Sequence, residues 1–260
     1  MLTLEQLRTH YAAHAGYARH ARSILTEYIQ YELLDSLFKQ PRAGLLSFMG
    51  GTSIRIVYGS GRFSEDLDFD NFGLSYEEFR SLLDDVVRDM RMKGFGAEYR
   101  FVEKAAFHCY VRFPKILQDN ALSSHDDEKI LVRIDTMQKK KLREPNVAIL
   151  NAFDVYRPIT VNAPAVILAQ KLIAIKDRLR EKGRDFYDVS FLYGMAEPDT
   201  GFIEETTGMP IGDFIGALLD RCRMLDFARL AKDVEPFLFR NEEVVRVETF
   251  LPFIEQKLHQ

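Results

Sequence analysis

The stretch from Phe48 to Asp70, FMGGTSIRIVYGSGRFSEDLDFD, constrains the fold more than any other part of the chain. Before it, Gly44 to Met49 is short and apolar, which suits a buried strand. The pair Gly50-Gly51 permits a tight turn and a close approach of the backbone. Ile54, Val57 and Tyr58 then recur at helical spacing, so a short helix is predicted to start near Thr52 and to stop at Gly59-Ser60-Gly61. Asp66 to Phe69 alternates acidic and apolar residues, as a half-buried strand does. The predicted order is strand, glycine turn, short helix, acidic strand.

Asp66 and Asp68 stand two apart on that strand and project from one face. Two carboxylates about 4 Å apart repel by on the order of 4 kcal/mol at an effective dielectric constant of about 20. Protonation, a neighbouring arginine or a divalent cation must offset this. Magnesium suits the position, because it binds carboxylates together with substrate phosphates. A solvated edge strand shows the same acidic pattern, so the pair alone assigns no site. Asp70 lies on the same face but precedes Asn71 and a turn at Phe72-Gly73, and is read as a strand-end residue. Gly50, Gly51, Thr52 and Ser53 would present free N–H groups to an anion, with the two hydroxyls as further donors. A plain turn with a Ser or Thr cap reads alike, and the P-loop lysine is missing. Joined, the two signals describe a cradle for phosphates followed by a metal-binding acidic pair.

The remaining chain supplies strands, then helices. Thr3 to Phe38 reads as helical, opening on a capping box of Thr3 and Gln6. His10 and His14, four apart, have the spacing of a metal pair, though such pairs are far more often surface or packing residues. Ser75 and Glu78 open a helix that runs to Gly94. Strands follow at Ala97–Val102, at Phe107–Phe113 with His108, Tyr110 and Arg112 on one face, and at Lys129–Met137. Shorter strands around Val147–Ile149 and Ile159–Val161 precede a shift in composition near Ala163. Helices are then predicted at Ala165–Glu181, with Gly183 as its stop signal, and at Arg184–Tyr193, Ile211–Arg223 and Glu242–Lys257. The fold class is α+β: a mixed sheet flanked by helices, then a helical C-terminal domain, with domains at 1–162 and 163–260.

Composition narrows the setting. The 260 residues are 47% hydrophobic and 28% charged, ordinary for a globular chain, with a formal net charge of −4 that excludes a protein coated in basic residues. Cys109 and Cys222 are too few and too far apart for a disulfide framework or a zinc site, so buried free thiols are expected. No apolar run approaches the roughly 20 residues of a membrane span, and no signal-peptide pattern opens the chain. The expected compartment is the cytoplasm.

The run GGTSIRIVYGSGRFSEDLDF closely resembles the signature of AbiEii/AbiGii-type toxins, a nucleotidyltransferase branch of the polymerase-β-like superfamily. Arg62, Ser64, Asp66, Leu67, Asp68 and Phe69 match its R-x-S-x-D-L-D-F. Downstream, Arg133-x-Asp135 matches the branch's basic–x–Asp strand, Lys171 and Ala174 its Lys-x-x-Ala helix, and Arg184, Asp185, Tyr187 and Asp188 its Arg-Asp-x-Tyr-Asp. Singly, each has a plainer explanation: Lys171 as a surface lysine, Asp185 as a first-turn acid beside the helix dipole. Their order and spacing carry the resemblance from Gly50 to Asp188.

The resemblance implies an enzyme that transfers a nucleoside monophosphate from an NTP to a hydroxyl. In it Asp66, Asp68 and Asp135 hold two Mg²⁺ ions, and Asp135 also helps accept the acceptor's proton. Gly50, Gly51, Thr52 and Ser53 cradle phosphates. Arg62 and Lys171 neutralise the departing pyrophosphate, ordered by Ser64 and by Asp185 or Asp188. The helical domain completes the active site. The implied role is a toxin acting on the 3′ end of tRNA, neutralised by a cognate antitoxin. The basic runs Lys139–Lys141 with Arg143, and Arg178, Arg180, Lys182 and Arg184, are candidates for RNA phosphates or for a solvated face. A small-molecule or protein hydroxyl as acceptor, and a non-catalytic interaction protein with a degenerate nucleotide site, stay open as other readings.

Overall fold

The computed structural model describes residues 1–11, 17–103, 107–125 and 127–258. The chain divides into two compact units, one built from 1–57, 63–141 and 145–161, the other from 58–62, 142–144 and 162–260.

The first unit begins with helices α1 (Leu4–His10) and α2 (Ala21–Phe38). The Thr3–Gln6 capping box is formed. Residues 12–16, and with them the His10–His14 pairing, lie outside the described residues. Strand β1 (Leu46–Met49) runs directly into helix α3 (Gly50–Ile56), and β2 (Leu67–Asn71) returns beside β1. Helix α4 (Tyr76–Met92) follows, opened by the Ser75–Glu78 capping box. Strands β3 (Glu98–Glu103) and β4 (Phe107–Pro114), a single-turn helix α5 (Ile116–Asp119), and strands β5 (Lys129–Gln138), β6 (Asn146–Ala152) and β7 (Val155–Val161) complete the unit.

The seven strands form one mixed sheet in the order β3-β4-β5-β2-β1-β7-β6. Strand β2 runs parallel to β5 and antiparallel to β1. Alternation along the strands sorts two faces. Phe48, Phe69, Cys109, Val111, Val132 and Ile134 are buried, as are Tyr28 of α2 and Val86 of α4, and α2 packs against α4, β5 and β7. Asp68, His108, Arg133 and Asp135 alternate with those core residues and stay partly exposed. A sheet with one apolar and one polar face is thereby built from period-2 patterning alone.

The second unit is helical: α6 (Pro164–Asp177), α7 (Gly183–Leu192), α8 (Thr200–Thr207), α9 (Ile211–Arg223), α10 (Phe227–Val234), α11 (Val245–Glu248) and α12 (Phe250–Leu258). Helix α7 lies at its centre, touching α6, α10, α11 and α12. Two expectations are corrected here. Helix α6 ends at Asp177, not Glu181, because Arg221 of α9 donates to the carbonyls of Ile175 and Arg178 at its end. Gly183 starts α7 instead of stopping α6; a Cβ there would stand 2.0 Å from the Leu230 carbonyl oxygen, so the glycine permits close contact with α10. Among the described residues no helix is long and apolar enough to cross a membrane. Cys109 and Cys222 are free and buried, and burial pushes both thiols up to about 12.

Candidate active site

Sheet register assembles the first cluster. His108 on β4 lies opposite Asp135 on β5, Asp135 lies beside Asp68 on β2, and Asp68 lies opposite Met49 at the end of β1. The row therefore crosses four strands and ends at the glycine pair. Gly50 takes φ +77°, and a Cβ at that position would sit 2.4 Å from Asp68 Oδ2. Only glycine both tolerates this dihedral and leaves the carboxylate room.

Asp66 precedes β2 instead of belonging to it, because its carbonyl accepts the Thr52 hydroxyl in place of a ladder bond. The Ser53 hydroxyl donates to the Gly50 carbonyl at 2.9 Å. Both hydroxyls are buried and donate to main-chain carbonyls of the protein here. What the turn offers an anion is backbone N–H from Gly50 to Ser53. Ser64 contributes to the structure through its carbonyl, which accepts from Gln30 Nε2 at 3.0 Å.

The Arg133 guanidinium reaches Asp66 Oδ2 and Asp135 Oδ2, each at 2.8 Å, and His108 Nδ1 lies 2.7 Å from Asp135 Oδ1. Asp66, Asp135 and Asp68 beside them hold the Arg133 cation on, against a burial that opposes it. Carboxylate oxygen donors, with Asp66 37% exposed, match a hard divalent cation. Among the described residues no three His, Cys, Asp or Glu side chains converge on one metal position, and Arg133 bridges Asp66 and Asp135. Asp70 is buried inside β2, and Asn71 closes the turn by accepting from the N–H of Gly73 and Leu74. His108 escaped sequence reading because its strand alternation is legible but its register against Asp135 is not.

The second cluster lies within the helical unit. Arg62 is 1% exposed, and its Nε and Nη2 each donate to Asp188 at 2.6 Å. Burial would drive the Arg62 proton off; Asp188 outweighs it, and the guanidinium stays charged. Lys171 Nζ lies 2.8 Å from both Asp185 and Asp188, and Arg178 Nη1 donates to Asp185 at 2.6 Å. Burial pushes the Asp185 carboxyl up, but Lys171 and Arg178 together bring it below its usual range. Tyr187 donates to Glu243 at 2.5 Å. Arg62 is therefore a buried partner of Asp188 in this structure. Arg143 is likewise committed, bonded to Asp199 and Glu205, and Arg184 packs 4.5 Å over the Phe237 ring.

Comparison with known proteins follows the same residues. The sequence profile of the AbiEii toxins, nucleotidyl transferases of type IV toxin–antitoxin systems, matches residues 32–208. The chain belongs to this family. As an AbiEii-family protein it is a nucleotidyltransferase of the toxin–antitoxin class. The fold agrees with MenT4, a nucleotidyltransferase toxin of Mycobacterium tuberculosis, at TM-score 0.62 and 18% identity over 98% of this chain and 90% of that one. JHP933 from Helicobacter pylori aligns at TM-score 0.57 and 19% identity, over 92% and 94% of the two chains. No curated protein matches in sequence.

Proposed function

We propose that this AbiEii-family toxin transfers a nucleoside monophosphate from an NTP to the 3′-terminal hydroxyl of a tRNA, with two Mg²⁺ ions bound by Asp66, Asp68 and Asp135. The observation that carries the reading is the register that sets Asp135 beside Asp68 with Gly50 against Asp68. Backbone N–H groups from Gly50 to Ser53 hold the β- and γ-phosphates. When bound, the metal ions supply charge neutralisation at the phosphates and acidify the acceptor hydroxyl. Asp135 helps take up the proton that this hydroxyl loses. On the family pattern, Lys171 neutralises charge on the departing pyrophosphate. Asp185 and Asp188 orient its ammonium group, and Arg62 holds Asp188. Lys139, Lys140 and Arg180 of the basic runs are exposed and open to RNA phosphate, and a cognate antitoxin is the expected partner.

Incubation with each α-labelled NTP and, separately, total RNA, protein and small metabolites tests this. The wild type is expected to label tRNA 3′ ends. Asp68→Ala is expected to lower transfer by about a thousandfold, as losing several kcal/mol of metal-borne stabilisation requires. Label in protein or metabolites would replace the acceptor; transfer by a folded Asp68→Ala protein would sink the metal assignment.

A further inference from the structure

We propose that His108 is a positioning residue that fixes the rotation of the Asp135 carboxylate, so that Asp135 presents its free lone pairs to cations at Asp68. The inference rests on the three-carboxylate reading above. His108 and Asp135 are direct cross-strand partners, and Nδ1 stands 2.7 Å from Oδ1. An ionised carboxylate accepts only, so Nδ1 carries the hydrogen in this contact. The other oxygen, Oδ2, lies 2.8 Å from Arg133 Nε. Each oxygen of Asp135 therefore has its own neighbour, His108 at hydrogen-bond distance and Arg133 as an ion pair.

This arrangement answers a specific weakness of aspartate as a ligand. Its terminal torsion is broad and two-fold, so an unsupported carboxylate samples many orientations. Groups that hold a ligand from behind typically change metal affinity by about 10- to 100-fold. Arg133 can restrain Asp135, but its full positive charge competes with an incoming cation. The His108 ring restrains the same carboxylate through one N–H from the neighbouring strand. The ring is also well placed to keep its own orientation: it stands on a strand paired on both sides, between β3 and β5.

The test compares three substitutions at one position. Asparagine places a side-chain N–H near the position of Nδ1, glutamine reaches toward the position of Nε2, and alanine offers neither. Mn²⁺ binding is measured calorimetrically without nucleotide, alongside thermal stability and the separate kcat and KM of NTP transfer. His108→Ala and His108→Gln are expected to weaken Mn²⁺ binding by about 10- to 100-fold and to lower kcat. His108→Asn is expected to keep most of both, with similar melting temperatures for all three. Unchanged Mn²⁺ affinity in His108→Ala, or rescue by Gln but not Asn, would overturn the proposal. Asp135→Ala separates the two levels: if it weakens Mn²⁺ binding while His108→Ala does not, only the role of His108 fails. If Asp135→Ala leaves Mn²⁺ binding intact, the three-carboxylate reading fails with it.

Discussion

The two ionic clusters use nearly the same residue types and differ in their exposure. On the sheet, Asp66, Asp68 and Asp135 stand about the guanidinium of Arg133, and the group is partly open to solvent. In the helical unit, Asp185 and Asp188 face Arg62, Lys171 and Arg178, and both carboxylates are buried. A cluster of carboxylates with solvent access is open to a cation. A cluster whose acids are fully paired and dry holds its parts in place. Residue type does not separate them; burial does.

The largest expected effect tests the dry cluster. Asp188→Ala leaves Arg62 buried without its bidentate partner, and breaking such a pair costs about 3–5 kcal/mol. Chemical denaturation should show this loss in the helical unit, while Asp68→Ala, at a partly exposed carboxylate, should cost less stability than Asp188→Ala. Equal losses in both variants would erase the distinction. Gly50→Ala comes next. The added Cβ adopts an unfavourable dihedral, at roughly 1–2 kcal/mol, and displaces Asp68 Oδ2. Lower stability with loss of NTP transfer is expected; full transfer would remove the glycine turn from the site. The smallest effect sharpens the open cluster. Arg133→Met removes the cation competing for Asp66 and Asp135, and a partly exposed pair is worth at most about 1 kcal/mol, so nucleotide-free Mn²⁺ binding should tighten by up to about fivefold. Weaker binding would make Arg133 a support for the metal instead of its rival.

Much of this was legible in the chain. The capping boxes at Thr3 and Ser75, the alternation in β4 and β5, and the strand–turn–helix at the glycine pair all depend on neighbours a few residues away. Helices α8 and α10 went unread, and α6 was drawn too long. Short helices carry little periodicity, and α6 is ended by Arg221, a residue more than forty positions downstream. Gly183 looked like a terminator because glycine commonly ends helices; its actual constraint is the Leu230 carbonyl.

Taken by itself, the sequence determined the acidic strand, the glycine turn beside it and the family to which both belong, because these are local patterns of residue type and spacing. Tertiary structure alone decided what the charges do. Register placed His108 against Asp135, and burial gave Arg62 to Asp188. The hydroxyls of Thr52 and Ser53 were turned inward. Hydrogen-bond partners and desolvation are set by residues far apart in the chain, and no spacing rule within a single strand or helix encodes them.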